Sequence, residues 1–394
     1  MTMTFAAEWL NLLFRWAHLV VGIGWIGTSF YFIALDLSLR KREGMREGVY
    51  GTAWEVHGGG FYHVEKFTVA PAYLPQDLIW YKWEAYLTWV TGFALLVVQY
   101  YFNASSYLID VNKLHMLPSE AVLISVLSLV AGWFIYDGLC RSPIGRSTPL
   151  LALCVFALIM AASYMFTQVF SGRGALIHVG AFIGTIMAVN VFGLIIPNQK
   201  KIVASLLRGE APDPRLGQMG KQRSVHNNYL TLPVLLMMVS NHYPMLTGHP
   251  QAWLLVGLVL LMGGMVRHFL NRHEAGDPLN RYWWSLPIAA LGFAAALVMT
   301  APRDFSGGEA VSDATALTLI RSHCAMCHAA TPTHEGGFTD APKGIHLETL
   351  AELRRYADQV MAQSVLSDAM PLGNETGMTP EQREELGRWI AQNK

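Results

Sequence analysis

The sequence contains few charged residues. Lys, Arg, Asp and Glu make up 14% of the 394 residues, whereas soluble globular proteins carry about 25%. Hydrophobic residues account for 53%. The composition therefore excludes an ordinary soluble enzyme and predicts a membrane protein. The formal net charge is zero, and we expect no nucleic-acid partner.

Cysteine is also scarce, because only four are present. Two of them belong to the stretch CAMCH at residues 324–328. A zinc site would need a second pair of ligands at a suitable spacing, and the nearest histidines, His334 and His346, are isolated. A thioredoxin-like motif would need a βαβ context, which is absent. HGGG at 57–60 is not accompanied by G-x-S-x-G, so an esterase is excluded as well.

The C-x-x-C-H pattern is typical of covalent haem c attachment. Cys324 and Cys327 are one helical turn apart, so both thiols can reach the same edge of a flat ligand. The imidazole of His328 follows at once and can bind the iron over the face of that ligand. The sequence therefore predicts one covalently bound haem c.

A methionine is the expected second axial ligand, because a thioether often completes the coordination of haem c and raises its potential. Met370 is the favoured candidate, since Pro371 follows it in a loop that contains glycine. Met378 is the rival. It borders a capping box formed by Thr379 and Gln382, so we expect it to pack in the core.

Eight apolar runs are long enough to cross a bilayer. They lie at about 9–37, 82–102, 118–138, 148–170, 175–197, 228–246, 251–270 and 282–300. The predicted fold is all-α. An eight-helix transmembrane bundle occupies residues 1–302, and the internal repeat described below would divide it into two four-helix units. A linker at 303–311 and a small class I cytochrome c domain at 312–394 follow.

Lys and Arg are concentrated in alternate loops. The rich loops are the first, at 38–81, and those after the third, fifth and seventh runs. The positive-inside rule places these loops in the cytoplasm, so eight spans put both termini in the periplasm. We therefore predict a multi-pass protein of a bacterial inner membrane. The first run is too long for a cleavable signal peptide and has no basic flank.

Two of the apolar runs suggest an internal repeat. The runs of His18 and His178 both continue with glycine six residues later, and Tyr-Leu-Thr recurs at 86–88 and 229–231. Two facing imidazoles could ligate a haem b, so His18 and His178 are its candidate iron ligands. His242 is a further candidate. The alternative is that each histidine hydrogen-bonds a neighbouring helix.

A second polar group belongs to the predicted cytoplasmic loops. As a set, its imidazole and guanidinium donors could bind a planar anion. Each residue alone fits equally well as an ordinary loop residue. The candidate substrate-binding residues are His57, His63, Arg223, His226 and His268.

Three strings in the apolar part, together with CAMCH, resemble a known family. They are WEVHGGGFYHVEK, QDLIWYKWEAYLTW and SVHNNYLTLPVLLMMVSNHYP. Over its full length the chain is similar to the bacterial membrane-bound urate hydroxylases, also called cytochrome c urate oxidases. The resemblance implies oxidation of urate to 5-hydroxyisourate in purine breakdown. Electrons would pass to haem c and then to a respiratory cytochrome or oxidase.

The residues alone leave other functions open. One is a quinol or cytochrome electron-transfer module without an organic substrate, and another is a transporter with a fused cytochrome. The residues also do not determine which face of the membrane binds urate. A cytoplasmic site would need a relay across about 30 Å of hydrocarbon. A periplasmic site would need none and could include His18, His178 and His242. In either case a histidine is the expected base.

Overall fold

The computed structural model describes residues 3–71, 74–75, 77–334 and 340–393, and it is mostly helical. The helices before residue 301 are α1 Met3–Ser38, α2 Trp83–Leu96, α3 Ala104–Tyr107, α4 Pro118–Arg141, α5 Thr148–Val169, α6 Gly172–Val189, α7 Ile196–Leu207, α8 Pro214–Val239, α9 Pro244–Thr247, α10 Ala252–Glu274 and α11 Ser285–Met299. A π-helical turn, Val97–Tyr101, continues α2, and another, Asn190–Ile195, joins α6 to α7. We call this part the helical body.

Five helices in the described part of the chain are long and apolar enough to cross a membrane. They are Glu8–Ser38, Pro118–Arg141, Thr148–Val169, Gly172–Leu207 and Ala252–Glu274. Each coincides with a predicted run, so a protein with several membrane-spanning helices is supported. The other three runs fall on α2, α8 and α11. α11 is apolar but short, and α8 begins with a polar segment.

The all-α prediction is wrong for the first loop. Strands β1 Val49–His57 and β2 Gly60–Phe67 form an antiparallel hairpin there. Its two-residue turn is Gly58-Gly59, and both glycines have positive φ, which glycine adopts without a Cβ clash. The β-branched and aromatic residues on both sides of HGGG favour strands, and the sequence analysis did not use that signal.

Helix α6 is the centre of the helical body. It packs against α2, α4, α5 and α8. In an 18-residue apolar stretch of Gly172–Leu207, which begins with α6, 72% of the residues are buried. The corresponding value for Glu8–Ser38 in α1 is 6%. Close approach of α4 requires a small residue, and a Cβ built at Gly132 would overlap the ring of Phe182 on α6.

A second apolar core lies after residue 312. Its helices are α12 Asp313–His323, α13 Ala325–His328, α14 Leu350–Arg355, α15 Ala357–Val360 and α16 Pro380–Asn393. Trp389 is fully buried there and donates its indole N–H to Asp313 Oδ1 at 2.9 Å. We call this part the C-terminal body. Residues 301–312 join it to the helical body and contain no helix or strand.

The C-terminal body packs against one end of the helical body. Gly373 has φ +59 and lies so close to Ser106 that a Cβ would sit 3.1 Å from the Ser106 carbonyl oxygen. The Ser106 hydroxyl also donates to Glu375 at 2.9 Å. The Lys- and Arg-rich loops lie at the other ends of the helices, where Arg40 donates to the Ala275 carbonyl at 2.8 Å.

Gly132→Ala should destabilise the protein by about 1–3 kcal/mol, because the added methyl overpacks the contact between α4 and Phe182. The measurement is the unfolding midpoint of the detergent-solubilised protein. Gly138→Ala is the matched control. It lies on the same helix, and nothing is within 4 Å of its added Cβ. Equal midpoints for the two variants would contradict the described packing.

Candidate functional site

One cavity of about 1660 Å³ joins the two bodies. Single small-molecule pockets usually measure about 300–1,000 Å³, so this cavity can hold more than one ligand. Its wall in the C-terminal body includes Cys324, Cys327, His328 and Met370, and its other wall is formed by α1, α2, α6 and α8. The four predicted haem c residues therefore border one space that continues between the helices.

His328 is oriented for binding a metal. Its Nδ1 donates to the Ile345 carbonyl at 2.9 Å. The hydrogen bond at one ring nitrogen determines which nitrogen keeps the lone pair. Nε2 is therefore the nitrogen that can coordinate iron.

Arg383, which the sequence analysis missed, holds the loop of Met370. Its guanidinium donates to the carbonyl oxygens of Ser364 at 2.7 Å and Met370 at 2.6 Å, and to Asn374 Oδ1 at 3.2 Å. Burial lowers the pKa of Arg383 from its usual value. The only signal in the sequence is an arginine in the first turn of a helix, which is too common to identify a role.

Met378 does not line the cavity. It is 1% exposed in the core of the C-terminal body, as expected for a packing residue. The capping box that follows it is present, because the Thr379 N–H donates to Gln382 at 2.8 Å and the Gln382 N–H to Thr379 at 3.3 Å. Met370, in contrast, borders the same space as His328.

The two cysteines face the cavity as neutral thiols. Burial raises the pKa of Cys324 to about 12 and also raises that of Cys327. Both remain protonated at pH 7 before any haem is attached.

Within the described ranges, no group of three or more His, Cys, Asp or Glu side chains is arranged to hold a metal ion. Haem needs only axial ligands from the protein, because the porphyrin supplies the other four. The pair of His328 and Met370, with two thiols beside them, therefore fits haem c.

His18 lies on the wall of the cavity between the helices. Its Nδ1 is 3.0 Å from the Thr88 carbonyl and 3.1 Å from Thr91 Oγ1, so Nδ1 carries the proton and donates. Gly92 leaves room for the ring, since a Cβ there would be 2.8 Å from His18 Cε1. Nε2 is left to bind a ligand or a proton. His242 lines the same cavity.

The structure does not bring His178 to the cavity that His18 borders. His178 is fully buried and does not line the cavity. Its Nδ1 bonds the Gly174 carbonyl at 2.6 Å, and its Nε2 bonds the Ser125 hydroxyl at 2.6 Å. Neither ring nitrogen is left for iron. The alternative reading, a histidine that joins neighbouring helices, describes this residue.

The structure assembles only part of the predicted substrate cluster, because Arg223 and His226 both contact Tyr136. His57 and His63 are exposed on the hairpin, where His63 stacks on Trp54. Arg223 is buried and pairs with Asp137 at 2.6 Å. The two remaining candidates bond separate tyrosines and do not line the cavity. They are His226, whose Nδ1 is 2.7 Å from Tyr136 Oη, and His268, whose Nδ1 is 2.9 Å from Tyr229 Oη.

Several polar residues that the sequence analysis did not select line the cavity near the C-terminal body. We call them the polar section. They are Asn11, Arg15, Gln99, Arg173 and Asn241. An arginine and a glutamine inside predicted apolar runs were the available signal, because such residues are costly in a membrane without a function.

A family model described as urate oxidase N-terminal matches residues 4–301, which is more than half of the chain. The chain belongs to the urate oxidase N-terminal family. This family indicates a urate-related oxidoreductase. The match covers the helical body and ends before α12, so it does not extend to the C-terminal body. No curated protein and no solved structure matches the chain.

If Met370 binds the predicted haem c, Met370→Ala should lower the reduction potential of that haem, because a thioether ligand raises it. Potentiometric titration of the visible spectrum measures the change. Met378→Leu is the matched control, since it conserves volume in the core and should leave the potential unchanged. The reverse pattern would identify Met378 as the ligand.

His178→Ala should leave the visible spectrum unchanged and reduce stability by about 1–3 kcal/mol, because two buried hydrogen bonds lose their partner. Spectroscopy and the unfolding midpoint of the purified variant test this. Loss of a b-type absorption band in the variant would show that His178 ligates a haem after all.

Proposed function

We propose that this protein is a membrane-bound urate hydroxylase that transfers electrons from urate to a covalent haem c. The family match indicates that the chemistry is related to urate. The observation that carries the proposal is the continuous cavity, which borders the C-x-x-C-H residues on one side and the interior of the helical body on the other. A substrate between the helices can therefore approach the haem c edge without an intervening wall.

The atoms and charges of the reaction balance without molecular oxygen as the electron acceptor. One urate monoanion and one water give neutral 5-hydroxyisourate, one proton and two electrons. Cleavage of a water O–H bond accompanies formation of the new C5–O bond. Cys324, Cys327, His328 and Met370 would hold haem c, which would supply a one-electron acceptor. Each turnover therefore needs two transfers to a respiratory cytochrome or oxidase.

His18 and Arg383 have specific roles in the proposed reaction. His18 presents Nε2 to the cavity while Nδ1 is committed to the Thr88 carbonyl. A neutral imidazole in this tautomer can accept the proton that the reaction releases. Arg383 holds the loop of Met370, so the axial ligand stays in place between the two electron transfers.

The proposal places eight spans in a bacterial inner membrane, with both termini and the C-terminal body in the periplasm. The positive-inside pattern supports this orientation. So does the packing of the C-terminal body at the end opposite the basic loops. Urate then binds on the periplasmic side, and no relay across the bilayer is needed. A haem b between His18 and His178 has no part in the proposal.

Anaerobic visible spectroscopy tests the proposal. Urate added to the oxidised, detergent-solubilised protein should produce the reduced α band of haem c. Stopped-flow recording should give two electrons per urate consumed. Cys324→Ser with Cys327→Ser should abolish the band and the turnover together.

Dithionite reduction of the same sample is the control for an intact haem. Reduction by a quinol and dithionite but not by urate would contradict the proposal. Such a result would instead assign the chain to the electron-transfer modules. Release of hydrogen peroxide in air at the rate of urate loss would contradict haem c as the electron acceptor, because it would show that oxygen takes the electrons.

A further inference from the structure

We infer that the polar section binds the planar urate anion, and this inference rests on the proposed function. The site has two walls. One is formed by Asn11 and Arg15 on α1 with Gln99 on the π-turn after α2, and the other by Arg173 and Asn241. Nothing in the family match assigns a substrate position within the chain.

The first wall fixes one guanidinium at the cavity. Arg15 Nε donates to Asn11 Oδ1 at 2.8 Å, which is an i,i+4 pair on α1. In one orientation the Gln99 amide N–H donates to the same Asn11 oxygen at 2.8 Å. In the opposite orientation its amide oxygen accepts from Arg15 Nε at 2.9 Å and from Nη2. Neither orientation uses Nη1 of Arg15, which leaves that group for a ligand.

The second wall has unsatisfied polar atoms. Among the residues described, Arg173 Nε and Asn241 Oδ1 are buried without a hydrogen-bond partner. The Asn241 amide N–H donates to the Tyr100 hydroxyl. An unpaired buried donor or acceptor costs about 1–3 kcal/mol. A ligand that supplies one acceptor and one donor would satisfy both.

The two walls face a common position. Gln99, which contacts Arg15, directly precedes Tyr100 in the π-turn, and the Tyr100 hydroxyl accepts from Asn241, so the two walls meet at this turn. His18 follows Arg15 by three residues, which places the two side chains on the same face of α1 about one turn apart. A ligand held by Arg15 therefore lies next to the imidazole proposed as proton acceptor.

The donor set matches a planar oxo-heterocycle. Guanidinium groups bind oxo groups and delocalised negative charge in their own plane, while the Asn241 oxygen needs an N–H donor. Urate carries carbonyl oxygens, ring N–H groups and one negative charge. A quinol carries no negative charge that could pair with two arginines. A simple inorganic anion carries no N–H group that could donate to the Asn241 oxygen.

The test measures binding apart from turnover. The full-length protein with its haem is reduced with dithionite, so that it cannot oxidise urate, and the dissociation constant of labelled urate is measured by equilibrium dialysis. Arg15→Gln and Arg173→Gln should each weaken binding at least about tenfold, which corresponds to about 1.4 kcal/mol. Their haem spectra and potentials should be unchanged.

Arg208→Gln is the matched control. Arg208 is exposed, pairs with Glu210 at 2.6 Å and is far from the cavity lining, so this variant should bind like the wild type. If a Gln variant does not fold, Arg15→Lys and Arg173→Lys replace it. They keep the charge but lose the planar pair of donors, and binding should still weaken.

The outcomes separate the two proposals. Unchanged binding in every Arg15 and Arg173 variant, with wild-type haem c reduced by urate, overturns the site and leaves the function. Tight binding by the wild type without reduction overturns the function and leaves the site. A wild type that neither binds urate nor is reduced by it overturns both.

Discussion

The relative position of the two bodies depends on the loop at residues 370–377. Gly373 allows this loop to approach the carbonyl groups at the end of α3, and Glu375 accepts from Ser106 on that helix. The same loop begins with Met370, the proposed axial ligand. Docking and haem coordination therefore use one short segment. This arrangement places Met370 at the cavity between the two bodies.

Buried polar groups hold the helical body together from the other end. Tyr136 bonds His226, and Asn228 accepts from Arg267 at 2.9 Å and from Asn271 at 2.8 Å. In a bilayer the hydrophobic effect does little to join helices, so close packing and interhelical hydrogen bonds fix their arrangement. Three residues of the predicted substrate cluster, Arg223, His226 and His268, make such contacts between helices.

Local patterns in the sequence predicted local structure well. The spacing in CAMCH and the capping box after Met378 depend on neighbouring residues, so the sequence could indicate both. Apolar runs located helices for the same reason. The hairpin was missed because the glycines of HGGG were not interpreted as a turn. The strand signal beside them was not weighed.

Tertiary contacts could not be predicted in this way. His18 and His178 occupy similar positions in two runs, yet one borders a cavity and the other bonds Ser125 on α4. Helix rotation decides which face meets the cavity, and weakly periodic apolar runs leave rotation undetermined. Arg15 and Arg173 were overlooked because their significance depends on a cavity formed by helices distant in sequence.

The join between the bodies, residues 301–312, contains no helix or strand. It acts as a tether that raises the local concentration of one body at the other without determining its orientation. The loop that begins at Met370 provides the orientation. Under the proposed function the two bodies would be related as enzyme and redox partner, and a chain divided within the tether would still encode two complementary surfaces. The covalent link makes the two bodies meet more often, while contacts of the loop at residues 370–377 determine how they bind.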